Sequence, residues 1–164
     1  MISMVRIDDR LIHGQVAVMW SKQLGISRIV VASDKIAANE MQVNALKMAA
    51  PAGIKAFVLP IQKAIELVND PRAASMKILV LSNNPKDIYE VLQGINEKPL
   101  LNLANYGRIG GGPLSEKQKL TETVYVTNED KEIFNKIFDM GYDFEYQPLP
   151  NDSKQSLKEL LGGK

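Results

Sequence analysis

Short runs of apolar residues recur along the chain and alternate with longer amphipathic segments. The runs are rich in Val, Ile and Leu and are almost continuously apolar, which is typical of strands buried on both faces of a sheet. They predict strands at Ile2–Ile7, Arg28–Ala32, Ile54–Leu59, Lys77–Leu81, Leu100–Leu103 and Thr123–Val126.

The segments between these runs carry apolar residues at helical spacing. Helices are predicted at Gly14–Gln23, Ala37–Ala49, Asp87–Gln93 and Asn128–Phe138. The apolar stripe consists of Val16, Met19 and Trp20 in the first helix and of Met41, Ala45 and Met48 in the second. Such a stripe usually faces the core, and we expect Trp20 to be buried there.

The end of the chain predicts one more strand and one more helix. Tyr142–Gln147 alternates aromatic and acidic residues and predicts a last edge strand, antiparallel to its neighbour, and Ser153–Leu161 predicts a short terminal helix. Alternating strands and helices indicate an α/β fold with a mostly parallel central sheet of about seven strands, helices on both faces and an antiparallel edge strand. We expect one domain over residues 1–164.

One segment shows neither the apolar run of a buried strand nor the spacing of a helix. Asn102–Pro113 reads NLANYGRIGGGP and becomes glycine-rich soon after the fifth strand. Glycines allow positive φ angles and close approach of the backbone to a ligand. The segment is therefore either a ligand-binding loop or an ordinary surface turn.

Composition removes several kinds of chemistry. The 164 residues include no cysteine and one histidine, so disulfides and thiol nucleophiles are excluded and we expect no metal site and no cofactor. The net charge is +1 without a basic tract, so we expect no nucleic-acid partner. No apolar run approaches the length of a membrane span and no signal peptide is evident, which predicts a cytoplasmic protein.

Candidate chemistry lies where the parallel strands end, because open sheets bind ligands at their carboxyl edge. The first strand is followed by Asp8, Asp9, Arg10 and the single histidine, His13. The fifth strand is followed by Asn105, Tyr106, Gly107 and Arg108.

The group around His13 fits a histidine that accepts and releases a phosphoryl group. A neutral imidazole is a nucleophile for phosphorus, and Asp8 or Asp9 is placed to orient it. Arg6, Arg10 and the N-terminus of the following helix suit phosphate oxygens. Two simpler interpretations remain at this point: His13 is a surface or cap residue, and Asp8 is a helix cap.

The stretch RIDDRLIHGQV, Arg6–Val16, closely resembles the N-terminal signature of the IIB subunits of the mannose/fructose/sorbose family in the bacterial phosphoenolpyruvate-dependent sugar phosphotransferase system. The later segments LNLANYG and TVYVTNEDKEIFNKIFDMGYDFEYQPLP also resemble this family, so the resemblance covers nearly the whole chain. It implies an α/β domain of about this length, in agreement with the hydrophobic pattern.

The resemblance implies a phosphocarrier, in enzymatic terms a protein-Npi-phosphohistidine–sugar phosphotransferase. Its partners would be a IIA subunit or domain as phosphoryl donor, the membrane subunits IIC and IID, and the imported sugar. The protein would be cytoplasmic and peripherally associated with the membrane subunits. Which sugar it serves and its oligomeric state cannot be read from the sequence.

The resemblance also assigns roles to residues. His13 would be phosphorylated, at Nδ1, with Arg6, Arg10, Asp8 and Asp9 as the other catalytic residues; we expect both arginines to affect transfer more than stability. The expected phosphate-binding residues are Gly14, Gln15, Asn105, Gly107 and Arg108. Relatives usually have Asn-x-Gly-Gly after the fifth strand, so Arg108 is a departure and a possible third arginine at the phosphate.

Two other functions remain open. A stand-alone regulatory domain would use the same phosphohistidine as a signal, and a small-anion binding module or phosphatase-like enzyme would use only the helix N-terminus. Leu11 and Ile12 are candidates for an exposed apolar contact with a partner, but we expect core packing for at least one of them.

Overall fold

Nine strands form two sheets in a computed structural model of the protein, which describes residues 1–162. The strands are β1 (Ile2–Asp8), β2 (Arg28–Ala32), β3 (Lys55–Leu59), β4 (Ile78–Ser82), β5 (Leu101–Asn105), β6 (Gln118–Thr121), β7 (Val124–Val126), β8 (Phe144–Tyr146) and β9 (Gln155–Ser156). Seven of them form the central sheet in the order β3-β2-β4-β1-β5-β8-β9, and β6 and β7 form a separate hairpin.

Helices connect the strands and cover both faces of the central sheet. They are α1 (Gly14–Leu24), α2 (Asp34–Ala37), α3 (Glu40–Met48), α4 (Ile61–Asn69), α5 (Pro85–Gly94), α6 (Asn128–Asp139) and α7 (Leu157–Leu160), with short 3₁₀ turns at Pro71–Ser75 and Leu114–Glu116. Within residues 1–162 no helix combines the length and the apolar character that crossing a bilayer requires.

Two apolar cores lie on opposite faces of the sheet because strand side chains alternate. In β4, Leu79 and Leu81 pack on the side of α1, together with Trp20. Ile78 and Val80 pack on the side of α4, α5 and α6. Strands that are apolar on both faces therefore account for the continuous apolar runs in the sequence.

The predicted fold class is confirmed. The strand β1 is paired in parallel with both β4 and β5, so the two loops predicted to carry the chemistry do leave neighbouring strands. Polar residues cap two of the helices: the side chains of Ser33 and Asn84 accept backbone N–H groups in the first turns of α2 and α5. Gly25 ends α1 in the left-handed conformation.

Two strand predictions were wrong in their pairing. Thr123–Val126 contains β7, which pairs antiparallel with β6 in the hairpin instead of joining the central sheet. Tyr142–Gln147 contains β8, which is parallel to β5 and lies inside the sheet. The antiparallel edge strand is β9, whose two polar residues give no apolar signal.

The predicted helix Ala37–Ala49 is two helices, because Asn39 interrupts it and caps α3. The stripe predicted to face the core is wrong as well: the side chains of Met41 and Met48 are 82% and 86% exposed. The helix instead packs through Val43 and Leu46.

Two further helices differ from the prediction. The terminal helix α7 is shorter than the predicted Ser153–Leu161. The sequence analysis did not predict α4, although Ile61, Ala64, Ile65 and Val68 follow helical spacing and are buried.

Candidate functional site

The candidate site is built on the C-terminal end of β1 and the loop that leads into α1. Asp8 is the last residue of β1, and His13 is the N-cap residue of α1, with extended backbone angles. The two residues are therefore held by two different elements of the fold. The loop between them carries Asp9 and Arg10.

A buried ion pair anchors the beginning of this loop. Arg6 Nη2 donates to Asp8 Oδ2 over 3.0 Å, and the two side chains are 3% and 0% exposed. Burial lowers the pKa of the Arg6 guanidinium, and the Asp8 carboxylate opposes this change. The other carboxylate oxygen, Asp8 Oδ1, accepts the backbone N–H of Arg10 over 2.9 Å.

The rest of the Arg6 guanidinium is bound to residues far along the chain. Nη1 donates to Asn102 Oδ1 over 2.6 Å and to the carbonyl of Gln147 over 3.5 Å, and Nη2 donates to the carbonyl of Pro148 over 3.1 Å. Each terminal nitrogen thus makes two hydrogen bonds, which uses its two N–H groups. In this conformation Arg6 has no terminal N–H group left for a phosphate, so the geometry favours a role in positioning the loop over the phosphate contact expected from the sequence.

Trp20 completes the enclosure of Arg6. Its indole N–H donates to the carbonyl of Pro148 over 2.9 Å, and its ring centroid lies 5.4 Å from Cζ of Arg6. The ring is within the range of a cation–π contact. Trp20 is 4% exposed, so the expectation that it is a core residue is confirmed.

The imidazole of His13 is partly buried, with its side chain 20% exposed. Nδ1 lies 2.9 Å from the carbonyl oxygen of Leu11. A carbonyl only accepts, so Nδ1 carries the proton of this bond and Nε2 holds the free lone pair in neutral imidazole. Nε2 is buried, lies 3.9 Å from Asp8 Oδ2 and has no hydrogen-bond partner within residues 1–162.

The carbonyl of Leu11 reaches His13 because the loop is bent sharply. Leu11 has a φ angle of +57°, and it is the one non-glycine residue among residues 1–162 with a positive φ. This conformation costs about 1–2 kcal/mol for a residue with a Cβ. Leu11 and Ile12 are 7% and 3% exposed, so both are core residues, as expected for at least one of them, and neither is an exposed contact. Their burial in the core beside α1 stabilises the bend.

The first turn of α1 offers free backbone donors next to His13. The side chain of His13 makes no capping hydrogen bond, and no acidic residue lies in the first turn. Gly14 and Gln15, two of the residues predicted to bind phosphate, are exposed there. A helix N-terminus of this kind attracts anions.

Asp9 joins the loop to the glycine-rich segment after β5. Asp9 Oδ2 accepts the backbone N–H of Gly107 over 3.1 Å, and the N–H of Asp9 donates to the carbonyl of Asn105 over 2.8 Å. Lys117 in turn donates to the carbonyls of Gly107 and Gly110. The segment therefore lies beside the His13 loop, as predicted, but the N–H of Gly107 is already bound.

Gly107 cannot be replaced without moving the segment. Its φ angle is +88°, and a Cβ at this position would lie 1.8 Å from the carbonyl oxygen of Tyr125. The close approach to β7 explains why this position requires glycine.

Two cavities open on either side of Asp9. The larger, of about 430 Å³, lies between the N-termini of α5 and α6 and is lined by Tyr106 and Lys117 among others. The smaller, of about 350 Å³, is lined by Asp9, Arg10, Asn105, Arg108, Ile109 and Leu114. Burial raises the pKa of Asp9 to about 6, since its bond to Gly107 offsets only part of the desolvation.

The two arginines beside the smaller cavity are exposed, in contrast to Arg6. The side chain of Arg10 is 53% exposed, and its Nε lies 3.9 Å from Asp8 Oδ1. Arg108 is exposed on the glycine-rich segment. Residues 1–162 contain no group of three or more His, Asp or Glu side chains arranged to bind a metal ion.

The sequence analysis missed the groups that hold Arg6. Asn102 is buried, and the carbonyls of Gln147 and Pro148 follow β8. One signal was available: Asn102 interrupts an otherwise apolar strand, as Arg6 does in β1. Polar residues inside buried strands are normally paired with each other.

Comparison with known proteins decides between the functions that the sequence left open. A family model described as the sorbose-subfamily IIB component of the PTS, the phosphotransferase system, matches residues 2–164. The chain belongs to this family. It is therefore a phosphocarrier component of a sugar phosphotransferase system, within the mannose/fructose/sorbose family indicated by the motif. Nothing in the comparison favours either of the other two functions.

Individual relatives agree with this assignment. The chain is 36% identical over 162 residues to a probable phosphotransferase enzyme IIB component of Streptococcus pyogenes, covering 98% of this chain and 99% of that protein. It is 34% identical to the mannose-specific EIIAB component of Escherichia coli K12 over 98% of this chain, and it spans about half of that longer relative, 48% of its length.

The fold is shared with solved structures. The IIB domain of the sorbose permease from Klebsiella pneumoniae superimposes with a TM-score of 0.90 at 26% identity, covering 99% of this chain and 97% of that one. A structure described as a phosphoenolpyruvate-dependent phosphotransferase system protein gives a TM-score of 0.89 at 30% identity, covering 99% and 98%.

The different burial of Arg6 and Arg10 predicts different effects of the same substitution. Arg6→Lys removes most of the bonds to Asn102, Asp8, Gln147 and Pro148, and we expect it to lower the free energy of unfolding by about 2–4 kcal/mol. Arg10→Lys should change it by less than about 0.5 kcal/mol. Urea unfolding of the two variants measures both values. For Arg6 this prediction replaces the sequence-based expectation that the substitution has little effect on stability. Equal losses of stability in the two variants would contradict the new prediction.

The raised pKa of Asp9 predicts a pH dependence of stability. The folded protein holds this proton more tightly than the unfolded chain does, so the contribution of Asp9 to the free energy of unfolding should fall as the pH rises from about 4 to about 6 and then level off. Asp9→Asn keeps an acceptor for Gly107 and cannot ionise.

The comparison of these two proteins isolates the contribution of Asp9. The free energy of unfolding of Asp9→Asn minus that of the wild type should be more positive at pH 7 than at pH 4, as measured by urea unfolding. A stability difference between wild type and variant that does not change with pH would show that ionisation of Asp9 carries no such cost.

Proposed function

We propose that His13 accepts a phosphoryl group from a phosphorylated IIA subunit or domain and transfers it to a sugar imported through IIC and IID membrane subunits. In enzymatic terms the chain acts as a protein-Npi-phosphohistidine–sugar phosphotransferase. It works in the cytoplasm, associated peripherally with the membrane subunits. The E. coli relative, named as an EIIAB component, supports a IIA partner.

The observation that carries this proposal is the position of His13. Its ring lies at the uncapped N-terminus of α1, with the exposed guanidinium of Arg10 and the carboxylate of Asp8 nearby. Backbone N–H groups and Arg10 supply the positive charge that the equatorial oxygens of a transferring phosphoryl group require. Because positioning and charge carry most phosphoryl-transfer catalysis, this arrangement needs no further reactive group.

The transfer balances at each step. A lone pair of neutral His13 attacks phosphorus as the N–P bond of the donor phosphohistidine breaks, and the donor nitrogen recovers its lone pair. In the second step a sugar hydroxyl oxygen attacks phosphorus, its proton is released, and the N–P bond of His13 breaks. Since the carrier must release what it receives, its phosphorylated form cannot be held too tightly.

The nitrogen that reacts is tied to the conformation of the ring. In the present rotamer Nδ1 is bound to the carbonyl of Leu11 and Nε2 is enclosed. Phosphorylation at Nδ1, which the family resemblance implies, therefore requires the side chain to rotate away from Leu11 and the ring proton to move from Nδ1 to Nε2. The rotation breaks one hydrogen bond, a net cost of about 1 kcal/mol, and frees Nδ1 to react.

The remaining residues act around this centre. Asp8 orients the ring once it has turned, and Asp9 fixes the glycine-rich segment beside the loop. Gly14 and Gln15 present backbone N–H groups, while Asn105 and Arg108 line the adjoining cavity and reach the phosphate from its other side. Gly107 shapes the segment, since its own N–H is engaged by Asp9.

The test is phosphorylation of the single imidazole. Incubation with phosphoenolpyruvate and the phosphotransferase proteins should add one acid-labile, base-stable phosphoryl group to the wild type. His13→Ala should accept none, because the chain has no other imidazole and no thiol. Mass spectrometry should locate the label within residues 11–15.

The fold of His13→Ala serves as the control. Its circular dichroism spectrum should match the wild type, since the histidine side chain makes no cap bond to α1. Arg10→Lys should accept the group more slowly, because an ammonium loses the planar fork of the guanidinium. Label on an aspartate, serine or tyrosine would rule out the proposal.

A further inference from the structure

We propose that the free edge of β3 binds an extended segment of a partner protein, which adds a strand to the central sheet and carries an acidic and an aliphatic residue two positions apart. The central sheet ends at β3, which pairs with β2 alone. Arg28 and Lys55 begin these two parallel strands, whereas His13 follows the end of β1. The proposed site therefore lies at the opposite end of the sheet from the imidazole.

The outer edge of β3 has backbone groups that the fold leaves free. The N–H of Lys55 and the carbonyl of Leu59 are bound to residues that flank β2. In a parallel strand alternate residues bond to the same neighbour, so the backbone groups of Ala56 and Val58 point away from β2. Within residues 1–162 no hydrogen bond outside the strand ladder uses them. An added strand would bind these groups, as exposed sheet edges do in peptide recognition.

An apolar cavity of about 300 Å³ adjoins this edge on the side of α4. Its apolar lining consists of Phe57, Leu67, Ala73 and Met76. Phe57 is half-buried and packs against the core on that side of the sheet. The cavity therefore offers an apolar surface beside the free edge, which suits an aliphatic side chain of the added strand.

The charges around the cavity favour an acidic partner. Arg28 and Lys55 line it side by side, and neither forms an ion pair within residues 1–162. Asp70, the acidic residue of the lining, is paired with Arg72 over 2.7 Å, which lowers the pKa of that carboxyl to about 2. The surplus positive charge attracts a carboxylate and disfavours a second copy of this chain, which would bring the same charges together.

The pleat of β3 fixes the spacing in the partner segment. Lys55 and Phe57 point to one face of the sheet, and Ala56 and Val58 point to the other. Side chains of an added strand follow the same alternation. An acidic residue beside Lys55 and an aliphatic residue beside Phe57 are therefore two positions apart, and the residue between them faces α3.

The other edge of the central sheet is less suited to this role. It is formed by β9, which has two polar residues. Very short edge strands are one way in which proteins avoid pairing with other chains. In contrast, β3 has five residues, four of them apolar, and no proline.

The experiment measures the fluorescence anisotropy of a labelled, end-blocked peptide, Thr-Glu-Val-Leu-Val-Thr, with the full chain. Lys55→Glu should weaken binding at least about tenfold, since Lys55 is exposed and its replacement reverses the charge beside the peptide glutamate. Lys22→Glu, the same change on the exposed surface of α1, should leave binding unchanged.

A charge exchange tests the register. A peptide with lysine in place of its glutamate should bind the wild type at least about tenfold more weakly and regain affinity with Lys55→Glu. Serine in place of the peptide leucine should also weaken binding, because the cavity is then left unfilled. If neither change in the peptide affects affinity, the proposed site is wrong.

Strand addition is tested through the backbone. Hydrogen exchange followed by NMR should show the amides of Ala56 and Val58 slowed at least about tenfold by saturating peptide. N-methyl groups on both valines of the peptide, or in a second peptide on its glutamate and leucine, should abolish binding in one of the two cases, according to whether the strand adds antiparallel or parallel. Undiminished binding of both peptides would mean that the cavity takes an apolar acid without strand pairing, and would overturn the proposal.

Two further outcomes are decisive. Slow exchange of the same two amides in a concentration-dependent dimer without peptide would make a second copy the occupant and overturn the proposal. Lys55→Glu should accept a phosphoryl group on His13 at the wild-type rate, because the two sites lie at opposite ends of the sheet. Loss of this reaction in Lys55→Glu alone would contradict that separation, whereas its absence in the wild type would refute only the proposed function.

Discussion

The buried pair between Arg6 and Asp8 is the interaction on which the site depends. Removing two charges from water is costly, and the attraction between them offsets this cost only if the remaining donors and acceptors are also bound. Arg6 meets this condition through Asn102 on β5 and two carbonyls after β8. The pair therefore joins three strands of the sheet to the start of the loop that carries His13, and this loop cannot shift without exposing an unpaired charge.

The rigidity of this anchor lets the loop hold an unfavourable backbone conformation. Leu11 keeps its positive φ because its side chain is buried and its neighbour Arg10 is fixed to Asp8 through the backbone N–H. The same bend directs the Leu11 carbonyl at His13 and holds the ring partly enclosed. Backbone strain persists where the surrounding structure determines the conformation more than once. Here the buried side chain and the bound amide both do so.

Much of the fold follows from local sequence, and the failures have physical causes. Continuous apolar runs predicted the central strands, because both faces of a parallel sheet are buried. The predicted pairing of Thr123–Val126 and Tyr142–Gln147 was wrong because the sequence pattern of a strand does not specify which strands it pairs with. The Met41–Met48 stripe failed since periodicity shows that a helix has an apolar face, while the partner of that face depends on the tertiary structure.

The sequence predicted those residues of the site that lie close together along the chain. Arg6, Asp8, Arg10 and His13 lie within eight positions, whereas the groups that fix Arg6 lie some ninety or more positions later and are known only from the fold. This difference separates two arginines that the sequence presents as equivalent. Burial consumes the terminal donors of Arg6, while exposure leaves the guanidinium of Arg10 available. The proposed transfer uses both conditions, since a fixed charge holds the loop in place and an exposed one is available to the phosphoryl group as it arrives and leaves.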